Sequence, residues 1–324
     1  MRAMLCREYG PPESLELTEL PDPTAGPGEA VVRVRAAAVN FPDVLFMSGG
    51  YQVKVPPPFA PGSEFAGEVT AVGDGVDLPV GARVAGSVMV GAFAEQIAVP
   101  ASTLVPMAPG VDFADAAAFG VTYRTAYYTL RTVAPIQPED WVVVLGAAGG
   151  VGLAAVDIAV AMGAKVIAAA SSPDKLAVCA QRGALAGVDY VTENLRDRIK
   201  EITGGAGARV VLDPVGGPYS EPALRALGRG GTFVTLGYAA GEIPSIPLNL
   251  VLLKGITLRG MEIRTFFTDH PDEALRDTAE LQQMFDEGRL RPYIGARFPL
   301  DQAAVALRHV ADRRALGKVV IDIP

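Results

Sequence analysis

The chain has 324 residues, 50% of them apolar and 20% charged, and a formal net charge of −8. That length suits about two globular domains, and the acidic balance argues against a nucleic-acid partner. Two cysteines and two histidines exclude a disulfide framework and match no zinc-finger spacing, so a cytoplasmic, metal-free protein is expected.

The opening stretch MRAMLCREYGPPESLEL lacks the apolar core of a signal peptide. Residues 1 to about 110 carry short alternating runs separated by Gly and Pro: AVVRVRAAAV, GEVTAVGDGV, GARVAGSVMV and FAEQIAVP. Closely spaced strands with turn residues between them predict a β-rich barrel or sandwich. DFADAAAFGVTYRTAYYTLRTVA then reads as a helix capped by Asp112 or Asp115. From residue 141 strands and helices alternate: WVVVLG, VGLAAVDIAVAMGA, KVIAAA, PDKLAVCAQRGA, DYVT, NLRDRIKEITGG, ARVVLDPVGG, SEPALRALGRGG, TFVTLG and ITLRGM. This pattern predicts a doubly wound parallel sheet of six strands. The long apolar window VGLAAVDIAVAMGAKVIAAA is broken by Asp157, Gly163 and Lys165. It parses as helix, turn and strand rather than a membrane span. Two further helices and an end strand, GKVVIDI, close the chain. The expected plan is an inserted dinucleotide domain at 119–260, between catalytic pieces at 1–118 and 261–324.

GAAGGVG follows the first strand of the alternating region and opens a helix. Its glycines, Gly146, Gly149 and Gly152, depart from the commoner G-x-G-x-x-G spacing. The strand–turn–helix context still predicts a pyrophosphate cradle built from Gly146, Ala147, Gly149, Gly150, Val151 and Gly152. An NAD-type site ends its second strand with an acid for the ribose 2′-OH. Here Ala170, Ser171 and Ser172 stand there, with Lys175 beyond. Hydroxyls and an ammonium suit a 2′-phosphate, which an acid would repel; the cofactor expected is NADPH. Ser172 before Pro173 also reads as a plain helix cap.

The motifs AAAVNFPDVLFMSGGY, PGSEFAGEVTAVG, GAAGGVG, VLDPVGG and GKVVI, in this order, make the chain resemble the zinc-free quinone oxidoreductases related to zeta-crystallin, among the medium-chain dehydrogenases/reductases. The resemblance implies an α/β protein with a GroES-like β-rich catalytic domain and an inserted Rossmann domain that binds NADPH. It places phosphate readers at Ser171, Lys175, Tyr190 and Arg313, and further cofactor contacts at Thr125, Leu236 and Gly237. Zinc-bearing relatives have a cysteine ligand where this chain has Asn40 and a histidine where it has Ser63. Neither residue replaces a thiolate or imidazole ligand, so alcohol oxidation is disfavoured. Asn40 and Tyr51 match the family's Asn…Tyr pattern, which implies Tyr51 as hydrogen-bond donor to the acceptor oxygen or as pocket wall, and the Asn40 amide as a second donor to that oxygen. Asp43 and Glu64 read as structural hydrogen-bonders. Phe266 and Phe267 read as core or as the lining of a flat-substrate pocket.

Three readings follow. The first is an NADPH-dependent quinone reductase whose partner is a small-molecule electron acceptor. The second is a reductase of enals, enones or enoyl thioesters; the third is a cofactor-binding structural or RNA-binding protein. No membrane or nucleic-acid partner is expected. KGITLRGMEIRTF, as the last strand of the parallel sheet, leaves an edge that a homodimer would cover.

Overall fold

Apolar residues at nearly every position make EAVVRVRAAAV the central strand of an antiparallel sheet. In the computed structural model, which describes residues 1–324, β1 (Arg2–Leu5) and β2 (Glu16–Glu19) pair separately. The long β3 (Glu29–Val39) runs into α1 (Phe41–Met47), followed by β4 (Glu64–Val72), β5 (Arg83–Ser87), β6 (Gln96–Pro100) and β7 (Leu104–Pro106). β3 pairs β4 along one edge and gives residues 29–33 of the other edge to β6. α1 starts where the Asp43 carboxylate reaches back to accept the Asn40 N–H at 2.7 Å, an arrangement typical of a helix N-terminus.

The next helix, α2 (Phe113–Tyr128), is capped by Asp112, whose Oδ1 accepts the Ala114 N–H at 2.9 Å. The chain then builds β8 (Trp141–Leu145), α3 (Gly150–Ala161), β9 (Lys165–Ala170), α4 (Pro173–Gln181), β10 (Ala186–Asp189), α5 (Leu195–Ile202), β11 (Ala208–Asp213), α6 (Ser220–Ala226), β12 (Leu227–Thr235), α7 (Asn249–Lys254) and β13 (Thr257–Gly260). The six strands are all parallel, in the order β10-β9-β8-β11-β12-β13. This is the doubly wound dinucleotide order, with its switch point between β8 and β11. Val142, Val143, Val144 and Leu145 are fully buried, as a strand covered on both faces requires. The third strand lies three residues earlier than DYVT. Val188 is its buried residue, and beyond it Asp189 turns the chain by accepting the Val191 N–H at 3.0 Å.

Helices α8 (Ile263–Asp269) and α9 (Pro271–Asp286) follow, then β14 (Ile294–Pro299), α10 (Ala303–Ala311) and β15 (Lys318–Asp322). β15 enters the first sheet beside residues 36–39 of β3, giving the order β14-β15-β3-β4-β5-β7. The chain therefore divides into one unit of Met1–Val121 with Arg291–Pro324 and a second of Thr122–Leu290. The sequence reading ended the inserted domain at 260, whereas residues 261–290 belong to it. Their attachment is polar and aromatic. Tyr127 donates to Glu280 and Thr132 to Asp277, each at 2.7 Å, and Phe266 stacks on Tyr128 at 4.3 Å. Each unit has its own apolar core, one around Val32, Phe65, Phe93 and Ile321 and one around Val143, Ile167, Ile199 and Leu224. No helix is long and apolar enough to cross a membrane.

Candidate active site

In the second unit, the loop after β8 is shaped for close approach. Gly146 adopts φ +56°, a left-handed conformation that glycine enters freely. A Cβ on Gly152 would lie 2.2 Å from the Gly146 carbonyl oxygen, so only glycine lets α3 pack against this turn. Gly149 precedes the helix, and Gly150 and Val151 form its first turn, presenting N–H groups at the positive end of the helix dipole. Ala147 donates its N–H to Ala169 of β9 at 3.1 Å, tying loop to sheet. The donor set and the missing side chains fit a dinucleotide pyrophosphate. The one acid of α3, Asp157, is buried and accepts from Tyr123 and from both arms of the Arg182 guanidinium.

At the end of β9 the Lys175 ammonium donates to Ser171 Oγ at 2.9 Å, while Ser172 caps α4 through the Lys175 N–H. Cap and cation thus coexist in one turn. Tyr190 follows β10 and packs against Tyr219 with ring centroids 4.2 Å apart. Arg313 lies in the other unit, exposed just beyond α10 at φ +58°. Thr125 of α2 is buried; its carbonyl accepts the Thr129 hydroxyl at 2.6 Å where the helix passes into a π-helical turn, Thr129–Val133. Leu236 and Gly237 follow β12, and Leu236 donates its N–H to the Asp213 carbonyl at 2.8 Å.

Asp213 went unremarked in the sequence although its motif was noted. Its Oδ1 accepts the N–H groups of Val215 and Gly216, each at 2.8 Å, and its Oδ2 accepts from the buried Ser220 hydroxyl. This clamp fixes Val215 against the phosphate loop, where its Cγ2 lies 2.7 Å from the position a Cβ on Gly146 would take.

In the first unit, β3, α1, β4 and β15 converge on a buried polar cluster. Lys318 Nζ donates to Asn40 Oδ1 at 2.6 Å and to Glu64 Oε2 at 3.0 Å. An ammonium accepts nothing, so it fixes which end of the Asn40 amide is oxygen. Asn40 Nδ2 donates to Glu64 Oε2 at 2.8 Å and to Ser63 Oγ at 3.2 Å, and Glu64 Oε1 accepts the Val121 N–H. Both amide hydrogens are therefore committed inside the cluster. This corrects the expectation that Asn40 donates to an acceptor: its amide is a spacer between cation and helix. Lys318 is 3% exposed and Glu64 1%. Asp43 is fully buried, and its Oδ1 has no hydrogen-bond partner. Burial pushes its carboxyl up to about 7, against the pull of the Asn40 N–H, the Ser63 hydroxyl and the Lys318 charge. No group of three or more His, Cys, Asp or Glu is gathered as a metal site.

Tyr51 is half-buried beyond α1, its ring 4.6 Å from that of Phe46 on the same helix. Phe266 is core, whereas Phe267 is 44% exposed and meets Tyr128 edge-on. Lys318 was missed. A lysine opening a strand reads as solvated, and its partners lie 254 and 278 residues away in the chain.

Comparison with known proteins agrees with this architecture. Residues 26–109 match the alcohol dehydrogenase GroES-like domain, and residues 150–280 match the domain described as zinc-binding dehydrogenase. The chain is 38% identical to a quinone oxidoreductase-like protein 2 homolog of Nematostella vectensis, over 99% of this chain and 88% of that protein. It is 36% identical to a quinone oxidoreductase of Pseudomonas aeruginosa, over 97% of each. The solved structure of Escherichia coli quinone oxidoreductase complexed with NADPH superposes with a TM-score of 0.91 at 29% identity, covering 99% of this chain and 100% of that one. With a GroES-like sheet, a parallel six-stranded dinucleotide fold and full-length identity at this level, the chain belongs to the quinone oxidoreductase family of medium-chain dehydrogenases/reductases.

Proposed function

We propose that this protein is an NADPH-dependent oxidoreductase that reduces quinones without a metal. The observation that carries the cofactor choice is the Ser171–Lys175 pair at the end of β9, where an acid would select an unphosphorylated ribose. NADPH would supply the hydride. Gly146–Gly152 would hold its pyrophosphate, Ser171, Lys175 and Tyr190 its 2′-phosphate, and Thr125, Leu236 and Gly237 its nicotinamide end. The metal-free reading draws support from Lys318: the cluster at Asn40 and Ser63 already contains a cation, and its donors are amide, hydroxyl and carboxylate oxygens. Tyr51 would donate a hydrogen bond to the acceptor oxygen, and Asn40 caps the start of α1, which precedes it.

The protein should assemble as a homodimer. β13 is exposed at the sheet edge, and Leu252 and Leu253 of α7, just before it in the chain, are 82% and 64% exposed.

The test is initial-rate oxidation of NADPH and NADH against a panel of benzoquinones, naphthoquinones and enones, with elemental analysis of the same preparation. NADPH preference and turnover of quinones at negligible zinc content are expected. Turnover confined to enones would move the reading to a conjugated-carbonyl reductase. Stoichiometric zinc, with activity lost to a chelator, would overturn the metal-free part.

A further inference from the structure

Residues 152–159 of α3 are all buried, and Asp157 is the one charged side chain among them. Its Oδ1 accepts from Arg182 Nε at 2.7 Å, and its Oδ2 accepts from Arg182 Nη2 at 2.5 Å and from the Tyr123 hydroxyl. The carboxylate is 4% exposed and the guanidinium 28%. Such a pair is a weak source of stability, because well-packed apolar side chains of similar volume serve a core as well or better. What a two-pronged guanidinium adds is geometry, since it fixes direction as well as distance.

The pair links two helices at matching points. Arg182 caps the C-terminus of α4, seven residues after Lys175, and Asp157 lies seven residues after Gly150, the first residue of α3. Seven residues are two helical turns, about 10 Å along the axis, and return to nearly the same face. β8 and β9 are parallel neighbours, so the helices that follow them run in the same direction. Measured back from the link, the first turn of α3 and the turn that carries Lys175 therefore stand level. At the link itself the helix ends are close-packed: a Cβ on Gly183 would lie 3.0 Å from Val160 Cγ1.

We propose that Asp157 is a positioning residue for cofactor choice: through Arg182 it holds Lys175 at the distance from the phosphate loop that separates the pyrophosphate of NADPH from its 2′-phosphate. This rests on the cofactor assignment above. Asp157 is two turns from either phosphate-binding turn and acts only through the helices. Tyr123 brings α2 into the same clamp, two residues before Thr125.

The test is calorimetric titration of the whole protein with NADPH and with NADH, read as the ratio of their dissociation constants. NADH lacks the 2′-phosphate, so its affinity reports general damage to the site. The charged hydrogen bond at stake is worth roughly 10-fold to 10²-fold in affinity. Arg182→Lys keeps the charge and loses the fork. It should lose about 10-fold of the NADPH preference, with NADH binding within about 2-fold of wild type. The triple variant Tyr123→Phe, Asp157→Leu, Arg182→Met replaces the link by apolar volume; it should lose as much preference while melting no earlier than wild type. In a Lys175→Ala background neither set should lower the preference further, because the lysine they position is gone. An unchanged preference in Arg182→Lys, an equal loss for both cofactors, or a full further loss without Lys175 would overturn the proposal. If the triple variant does not fold, Arg182→Lys decides alone. Wild-type protein that binds both cofactors alike, or Lys175→Ala that keeps the preference, would instead remove the 2′-phosphate assignment itself.

Discussion

Lys318→Met removes the ammonium and keeps a side chain of similar length. It deletes the 3.0 Å contact to Glu64 and the 2.6 Å contact to Asn40. Glu64 retains the Asn40 amide at 2.8 Å and the Val121 N–H, so it stays hydrogen-bonded but loses its only contacting cation. Breaking a buried pair from one side costs about 3–5 kcal/mol, because the remaining charge is uncompensated. That is roughly 10²–10⁴ in the folding equilibrium. The loss should appear in the first unit, so the assay is amide hydrogen exchange by mass spectrometry, reading peptides from β4 and β15. Trp141, the only tryptophan, lies in β8 of the second unit, and its fluorescence serves as an internal control. Adding Glu64→Gln to Lys318→Met removes the stranded charge and should recover at least half of the loss. A single variant within about 1 kcal/mol of wild type, or a double variant no better than the single, would show that the cluster is not held by this pair.

Lys175→Ala should weaken NADPH binding by about 1.5–3 kcal/mol, the value of a charged hydrogen bond, and leave NADH nearly unchanged; equal losses in fluorescence titrations would sink the 2′-phosphate assignment. Tyr51→Phe should lower turnover on the order of 10²-fold with enones but only a few-fold with quinones, and full rate with every acceptor would reduce Tyr51 to pocket wall. Sedimentation at micromolar concentration should show a dimer that Leu252→Asp dissociates, since Leu252 is 82% exposed in the single chain; a monomeric wild type refutes the edge pairing.

The parallel sheet was legible because its signals are local. Strand and helix periods alternate from Trp141 onward, and the glycines of the loop after β8 sit where a turn must enter a helix. Ser171 and Lys175 were legible for the same reason: they are one helical turn apart, and each answers to the strand just before it. The cluster at Asn40 was legible only as an absence of ligands. Its organising charge arrives from a strand far along the chain, and neither the burial of Lys318 nor the sharing of a site by Asp43 and Glu64 leaves a local pattern. The boundary at 290 was hidden likewise. α9 has a polar face, which reads as solvated, yet Asp277 and Glu280 on that face are spent on hydroxyls of Thr132 and Tyr127.

On the ribosome, residues 122–290 emerge before β15 does, and they contain every strand of their own parallel sheet. The first sheet has to wait. Until β15 appears, residues 36–39 of β3 form a bare edge, since β6 covers only residues 29–33. Asp43 and Glu64 meanwhile lack the Lys318 ammonium that neutralises their cluster. The strand that closes the edge begins with Lys318, so the segment that completes the sheet also delivers the neutralising charge. A nascent chain halted before that strand would display an unpaired β-edge beside two carboxyls, a form open to chaperones and proteases and distinct from the finished protein.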